Sequence, residues 1–362
     1  MSITGATSDC LFTELDCKNC GITNLDLSEC TALEELSCYG NKLTVLNLSK
    51  NTALKYLDCS YNELTTLNLS EYTALEYLNC DFNKLTSLNL SKNTALKYLR
   101  CSVNQLTALD LSACTKLEIM HCTFNVGLNV LDLSKCAALE YLDCYSNQLA
   151  VLDLSKNKAL EELDCSDNQL ITLDLGKNTV LRDLDCSNNK LTALDLSGNT
   201  VLEDLSCSNN RLTALDLSKN TALRYLYCSG NRINDLDLSA NAALQIVDRD
   251  NIYHKDDKEG LRIFLRQSSA EKRKTNAEQL GLEISDMDNW EDGEEWVEKI
   301  DGIFWNNDLP KRLIIINWAG KKLAGKRLYT GKWSELKDLI CPENQLTSID
   351  VSDNTKLDNM VY

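Results

Sequence analysis

The sequence predicts an α/β-class solenoid, a stack of short coils with a parallel β-sheet along one curved face. Three observations carry that prediction. The chain has 362 residues, too many for one ordinary compact domain, and only two prolines. The block Leu54-Lys-Tyr-Leu57-Asp-Cys59-Ser-Tyr-Asn62-Glu-Leu64 returns 21 residues later as Leu75-Glu-Tyr-Leu78-Asn-Cys80-Asp-Phe-Asn83-Lys-Leu85. It starts again at Leu96, Leu139, Leu160, Leu181, Leu202 and Leu223. Eleven of the 17 cysteines, from Cys17 to Cys228, occupy one position of that repeat. A fixed period of this length marks a repeat array.

Each element follows from the repeat. The stretch x-Leu-x-Cys reads as a short strand whose Leu and Cys point inward while the x residues face solvent. Strands stack at about 4.8 Å, so eleven coils extend roughly 50 Å. No coil can bury its own leucines alone, so neighbours bury them for each other. The asparagine column from Asn41 and Asn62 to Asn231 is expected inside. There an amide donates and accepts at once, pairing backbone groups that a turn leaves without strand partners. Between these blocks runs Leu-Thr-x-Leu-Asp-Leu-Ser-x-Asn-Thr, as in Leu191 to Thr200, and one repeat gains a residue near Val126-Gly127.

The motif LxxLxCxxNxL at this period resembles the bacterial internalin-like leucine-rich repeats, and among them the kind with a cysteine ladder. The resemblance covers roughly Phe12 to Val247. It implies a leucine-rich-repeat fold with the sheet on the concave side, and surface adhesion or partner binding without a fixed ligand. Neither a wall-sorting tail nor the family's N-terminal cap is visible.

Arg249 stands where a ladder cysteine is due and Ile252 where an asparagine is due, so the first array is expected to span 1–249. Asp256 or Asp257 suits the cap of a helix carrying Leu261, Phe264 and Leu265 on one face, and a second helix is expected from about Ala270 to Leu280. All five tryptophans fall between Trp290 and Trp333. The repeat grammar resumes at Leu336-Lys-Asp-Leu339-Ile-Cys341-Pro-Glu-Asn344-Gln-Leu346. The expectation is therefore a helical, Trp-rich cap or spacer over 250–317 and a second array starting over 318–362. The run from Asp301-Gly-Ile-Phe-Trp305 to Leu323-Ala-Gly-Lys resembles the N-terminal cap of plant-type repeats without its paired cysteines.

The net charge of −17 disfavours nucleic acid and anionic membranes as partners. No run of about twenty apolar residues exists to insert into a membrane. Met1 to Cys10 carry no secretion signal, and the chain starts almost inside its first repeat, as a piece of a longer protein would. The ladder cysteines are expected as free, buried thiols. Cys17-Lys-Asn-Cys20 could form a zinc site, but Cys17 is simply the ladder residue and Cys20 replaces the ladder asparagine. Cys30, Cys114 and Cys136 replace the asparagine of Ser-x-Asn-Thr. No metal, cofactor or catalytic residue is assigned. The two histidines, His121 and His254, lack a catalytic partner set, and no phosphate-cradling glycine loop stands out. The basic cluster Lys311 to Lys332 reads as a solvated face offsetting the acidic run Glu291 to Glu298.

The informative residues are those the repeat does not dictate. Before the inward leucine stand Tyr56, Tyr77, Tyr98 and Tyr141. Past the ladder cysteine stand Tyr39, Tyr61, Phe82, Phe124 and Tyr145, and between the two sets lie Arg100 and His121. From 162 to 209 the same positions turn acidic and small. Exposed aromatics grouped on one face mark contact surfaces, although tyrosines stacked across strands also stabilise a sheet. Both can hold, with binding preferred. The leading expectation is thus a non-enzymatic module for protein recognition or adhesion, monomeric and at the cell surface or secreted. The runners-up are a carbohydrate-binding surface protein, with tyrosines stacked on sugar rings, and an architectural spacer. A cytoplasmic location is the alternative compartment. The partner is expected to be another protein, including a host surface protein, or a glycan.

Overall fold

The computed structural model describes residues 2–4, 12–233 and 236–248, single positions at 261, 265, 275, 276 and 280, and segments between 303 and 361. Two compact units divide the chain. One comprises Met1–Arg232 with Leu236–Asp248, and the other Ile233–Asp235 with Arg249–Tyr362.

In the first unit twelve strands stack in sequence order into one parallel sheet. Each is three residues long, as in Tyr56–Asp58, Tyr77–Asn79, Tyr98–Arg100, Ile119–His121, Tyr141–Asp143 and Glu162–Asp164. The register pairs equivalent positions of successive repeats, Tyr56 with Tyr77 and Tyr77 with Tyr98. Strands this short form because the middle leucine and the following cysteine both sink into the interior. Leu57, Leu78, Cys59 and Cys80 are fully buried. Backbone bonding continues beyond each strand, with Cys59 N–H donating to the Asn79 carbonyl (2.9 Å) and Tyr61 N–H to that of Asp81 (2.9 Å). Opposite the sheet the coil is mostly turn, with bridges at Asp26–Asn47 and Asn89–Asp110.

Two asparagine ladders tie the coils together. Asn62 Nδ2 donates to the carbonyls of Cys38 (3.0 Å), Cys59 (3.1 Å) and Ser60 (3.2 Å), and its Oδ1 accepts from Leu43 N–H (3.0 Å). The second ladder runs through the Ser-x-Asn-Thr asparagines on the other side of the coil. Asn178 Nδ2 donates to the carbonyls of Leu154 (3.2 Å) and Asn157 (2.8 Å). Tyr72 takes this place in its own coil, and its hydroxyl bonds the Leu48 carbonyl.

Fifteen cysteines among the described residues are free. Burial pushes the interior thiols up, Cys17 and Cys136 to about 11 and Cys114 to about 12, so they stay neutral and pack as small apolar groups. Cys30 departs from the expectation of a mere asparagine replacement, because it is disulfide-bonded.

The added residue near Val126-Gly127 resets the local ladder. Asn125 N–H now donates to Asn147 Oδ1 (2.9 Å) and Leu128 N–H to the Asn125 carbonyl (2.8 Å). A Cβ on Gly127 would lie 2.9 Å from Thr107 Cγ2, which is why the extra residue sits beside a glycine.

In the second unit, strands Ile303–Trp305, Leu313–Asn317, Asp338–Ile340 and Asn359–Val361 form one sheet, the first pair antiparallel and the rest parallel. Asn344 repeats the ladder chemistry. Its Nδ2 donates to the carbonyls of Trp318 and Cys341 (2.8 and 2.9 Å), and its Oδ1 accepts from Leu323 N–H (2.8 Å). Trp318 and Trp333 are fully buried with Leu336 and Leu339. The helices expected over 256–265 and 270–280 lie mostly outside the described residues, and no helical element is delimited among those described. Leu261, Leu265 and Leu280 are buried in this unit's core.

Candidate binding face

The outward residues of the sheet sort into two rails flanking a polar floor. The first rail precedes the buried leucines. Because register places equivalent residues one strand spacing apart, Tyr56, Tyr77 and Tyr98 stack, with ring centroids 4.3 and 4.6 Å apart and planes within 9°. Tyr98 lies 6.0 Å from His121, and His121 lies 4.8 Å from Tyr141. Burial pushes the Tyr77 and Tyr141 phenols above their usual value, so their hydroxyls remain donors at any physiological pH.

The second rail holds Tyr39, Tyr61, Phe82, Phe124 and Tyr145. Tyr61 stacks on Phe82 at 4.1 Å, and Tyr39 meets Tyr61 edge-on at 5.2 Å, as Phe124 meets Tyr145 at 4.9 Å. The backbone of this rail is unusual. Tyr61, Phe82, Val103 and Phe124 have φ of 51–53°. That left-handed turn aims the next residue, the ladder asparagine, into the interior, and elsewhere Gly40, Asn188, Asn209 and Gly230 occupy it. Glycine or asparagine adopts it readily, whereas a bulky or β-branched residue there is strained by about 1–2 kcal/mol. Tyr61, Phe82 and Phe124 nevertheless remain 41–46% exposed. The signal for this turn lies in the Gly and Asn at equivalent positions of the repeat, and Val103 shares the turn without being part of the aromatic stripe.

Between the rails the floor is polar and paired. Asp81 is buried and accepts from Arg100 Nε (2.7 Å) and Ser102 N–H (2.6 Å). Burial raises the Asp81 carboxyl, and the Arg100 guanidinium pulls part of that rise back. For Arg100, burial works against the charge, yet the hydrogen bonds it makes to Asp81 and Tyr98 carry it above its ordinary value. His121 Nδ1 lies 3.3 Å from Asp143 Oδ2, its register partner on the next strand. The neighbouring thiol, Cys122, is buried and pushed well up. Among the described residues no group of three His, Cys, Asp or Glu is arranged to hold a metal ion.

The structure thus brings all eleven sequence-predicted residues onto one sheet face. It separates them into a Tyr56–Tyr141 rail, a Tyr39–Tyr145 rail and an Arg100/His121 floor.

Stacked coils, an inward leucine column and paired asparagine ladders define a leucine-rich-repeat protein. A family model for leucine-rich repeats in two copies matches residues 200–241. At 32% identity the chain is similar to the functional domain of InlJ from Listeria monocytogenes, a structure that includes a cysteine ladder, with a TM-score of 0.64. That match covers 96% of this chain and 62% of the InlJ chain, so the chain spans less than two thirds of that relative. The fold is shared with InlF from Listeria monocytogenes (18% identity, TM-score 0.57, 93% and 89% of the two chains). It is shared too with a leucine-rich-repeat protein of Leptospira interrogans (24% identity, TM-score 0.54, 63% and 69%). No curated protein matches by sequence. The chain has a leucine-rich-repeat fold with a cysteine ladder and is similar in this to the internalin-like proteins.

Proposed function

We propose that this chain is a non-enzymatic recognition module that binds a protein partner on the aromatic half of its concave sheet face. The observation that carries the reading is the second rail. Three large side chains stay exposed while their backbone holds a conformation that asparagine or glycine would adopt at lower cost. Strain kept at exposed positions, where the rings pack only on one another, points to function. Exposed tyrosines add contact area at low entropy cost with a polar tip.

Sugar stacking is less well supported. It needs open ring faces, and Tyr56, Tyr77 and Tyr98 cover each other's faces and present edges and hydroxyls. A surface or secreted setting agrees with the disulfide at Cys30, since such bonds persist in oxidising compartments.

The test is capture from host and bacterial lysates and on a glycan array, comparing wild type with Tyr77→Ala/Tyr98→Ala after circular dichroism shows the variant folded. A protein captured by wild type and lost by the variant supports the reading. Equal capture by both sinks it, glycan capture alone favours the carbohydrate reading, and no capture by either moves the rails to packing and the chain to a spacer.

A further inference from the structure

Past the second rail, the residues that follow the buried ladder asparagines form one column along the rim of the sheet. A single ladder of backbone bonds fixes it. Gln148 N–H donates to the Leu128 carbonyl (3.0 Å), and Gln169, Lys190, Arg211 and Arg232 donate to those of Leu149, Leu170, Leu191 and Leu212 (2.8 Å each). Successive members of the column therefore stand one coil, about 4.8 Å, apart.

The column is apolar at one end and cationic at the other. At the extra residue Val126 steps out of the bonding pattern and borders a groove lined by Val126, Ser146, Asn147, Gln148, Ala150 and Gln169. Around it Val126, Val130, Val151 and Ile171 are 56–72% exposed. Val130 and Val151 occupy one position of successive repeats, and Ile171 repeats Ala150 one coil on. Exposed aliphatic side chains grouped in this way mark contact surfaces. The Gln148 and Gln169 amides bond no other group among the described residues, which leaves donors and acceptors for a backbone laid along them.

Beyond the groove stand Lys190, Arg211 and Arg232. The ion pairs of these coils are made by other cations, Arg182 and Arg224, both with Glu203 (3.0 and 3.6 Å), and among the described residues none reaches the three on the rim. Their neighbours are neutral as well, Asn188, Asn209 and Gly230 on one side and Thr192 and Thr213 on the other. Asp167, at the turn one coil earlier, lies 3.5 Å from Asn188 Nδ2. In the first coils the same column neutralises itself, with Lys84 meeting Glu63 at 2.9 Å. Three like charges in register repel one another, and their complement is an anion from outside the fold.

We infer that the rim from Val126 to Arg232 receives an extended segment of a protein partner, aliphatic where it meets Val126, Val151 and Ile171 and acidic along Lys190, Arg211 and Arg232. The inference goes beyond the aromatic rails and shares with that reading only that a protein is bound. The occupant follows from charge complementarity on cations that continue directly out of an apolar groove. Five coil steps span about 24 Å, the reach of an extended peptide of about seven residues.

The probe is a fluorescein-labelled octapeptide, Leu-Val-Ser-Ser-Glu-Glu-Glu-Glu, followed by anisotropy at low ionic strength. Lys190→Gln/Arg211→Gln/Arg232→Gln extends to the cationic end the residue type that Gln148 and Gln169 already supply in the column. The control, Lys156→Gln/Lys177→Gln/Lys219→Gln, removes the same charge from exposed turns, where Gly198 and Ala240 hold equivalent positions. Val151→Thr/Ile171→Thr removes the aliphatic patch with the residue type that Thr66 and Thr192 provide at those positions in other coils. The expected result is a loss of affinity of about tenfold for the rim glutamine variant, about fivefold for the threonine variant and under about twofold for the control. No binding by wild type, equal losses in the two glutamine variants, or an unchanged threonine variant overturns the inference. So does binding of phosphatidylglycerol vesicles without binding of the peptide, which assigns the rim to a lipid surface. Tyr77→Ala/Tyr98→Ala is expected to bind the peptide as wild type does, so failure of the rails and failure of the rim are read separately. A loss of peptide binding in that variant places the peptide on the rails and overturns the inference.

Discussion

The coils around Tyr77 and the coils around Asp183 share their buried columns and differ in nearly every exposed one. Both bury a leucine, a cysteine and an asparagine at the same offsets, and Asn83 and Asn189 bond equivalent carbonyls. Asn83 reaches Cys59, Cys80 and Asp81 at 3.1–3.2 Å, and Asn189 reaches Cys165, Cys186 and Ser187 at 3.0–3.2 Å. On the face, one region stacks aromatic rings above paired charges and holds bulky residues in a left-handed turn. The other displays carboxylates in register, Glu162, Asp183 and Asp204, over turns made by Asp167, Asn188 and Asn209. The interior specifies the fold and the exterior is free to vary, so each prediction below asks whether that separation is real.

The largest expected effect lies in the interior and should be blind to region. Asn83→Ala and Asn189→Ala each strip three carbonyls and one N–H of their partner inside the coil. The cost is about 3 kcal/mol for either, because buried backbone groups left unpaired forfeit most of their desolvation. Urea unfolding followed by circular dichroism measures both. Costs that differ by more than about 1 kcal/mol would mean that the face chemistry reaches into the ladder and that the two layers are not separable.

Much of this interior was legible in the sequence, because a column that recurs every 21 residues announces its own burial. Cys59, Cys80 and Asn62 fall where the period puts them, and Asn344 resumes the ladder as its spacing implied. What escaped is what the period hides. The Ser-x-Asn-Thr asparagines form a second buried ladder, but a polar residue in a polar-looking segment gives no hint of it. Their amide nitrogens reach back to carbonyls one coil away, as Asn220 does to Leu196 and Asn199 (3.1 and 2.8 Å). Asp81 looks like any surface aspartate, yet its position after the ladder cysteine is buried, as it is for Ser60 and Ser102, and Arg100, 19 residues on, supplies its charge partner. The rails were visible as residue types. That Tyr56, Tyr77 and Tyr98 close on one another, leaving edges rather than faces, depends on ring orientation, which no spacing encodes.

A smaller effect distinguishes the regions directly. Val103 is β-branched, sits at φ 52° and makes no ring contact with the rail, whereas Asn188 holds the same turn at φ 53°. Exchanging the two residue types should act with opposite signs. Val103→Asn is expected to stabilise by about 1 kcal/mol, and Asn188→Val to destabilise by a similar amount. Thermal unfolding of the two variants reads the pair. If Val103→Asn destabilises, the left-handed residues of the aromatic coils are held by packing, and their strain ceases to argue for a binding role.

The smallest effect belongs to the carboxylates and appears only as pH changes. With Asp183 pushed up to about 6 by burial and by Asp204, Glu162, Asp185 and Asp164, the folded chain holds a proton there more tightly than the unfolded chain does. Its contribution to stability is therefore fully present below the ordinary aspartate range, near about pH 4, and is lost as pH rises through about 6. Asp164 and Asp204 are raised as well, while exposed turn aspartates such as Asp195 and Asp216 are lowered by their hydrogen bonds to Ser197 and Ser218 and pull the other way. A single variant isolates the term. Asp183→Asn resembles the protonated acid, so it should match wild type near pH 4 and exceed it at pH 7. Solvent screening at this half-exposed site keeps the gain below about 1 kcal/mol. Unfolding midpoints of both proteins at the two pH values decide the matter. A gap that opens between them shows the acidic coils carrying an electrostatic cost that the aromatic coils avoid, and a constant gap leaves the two halves differing in shape alone.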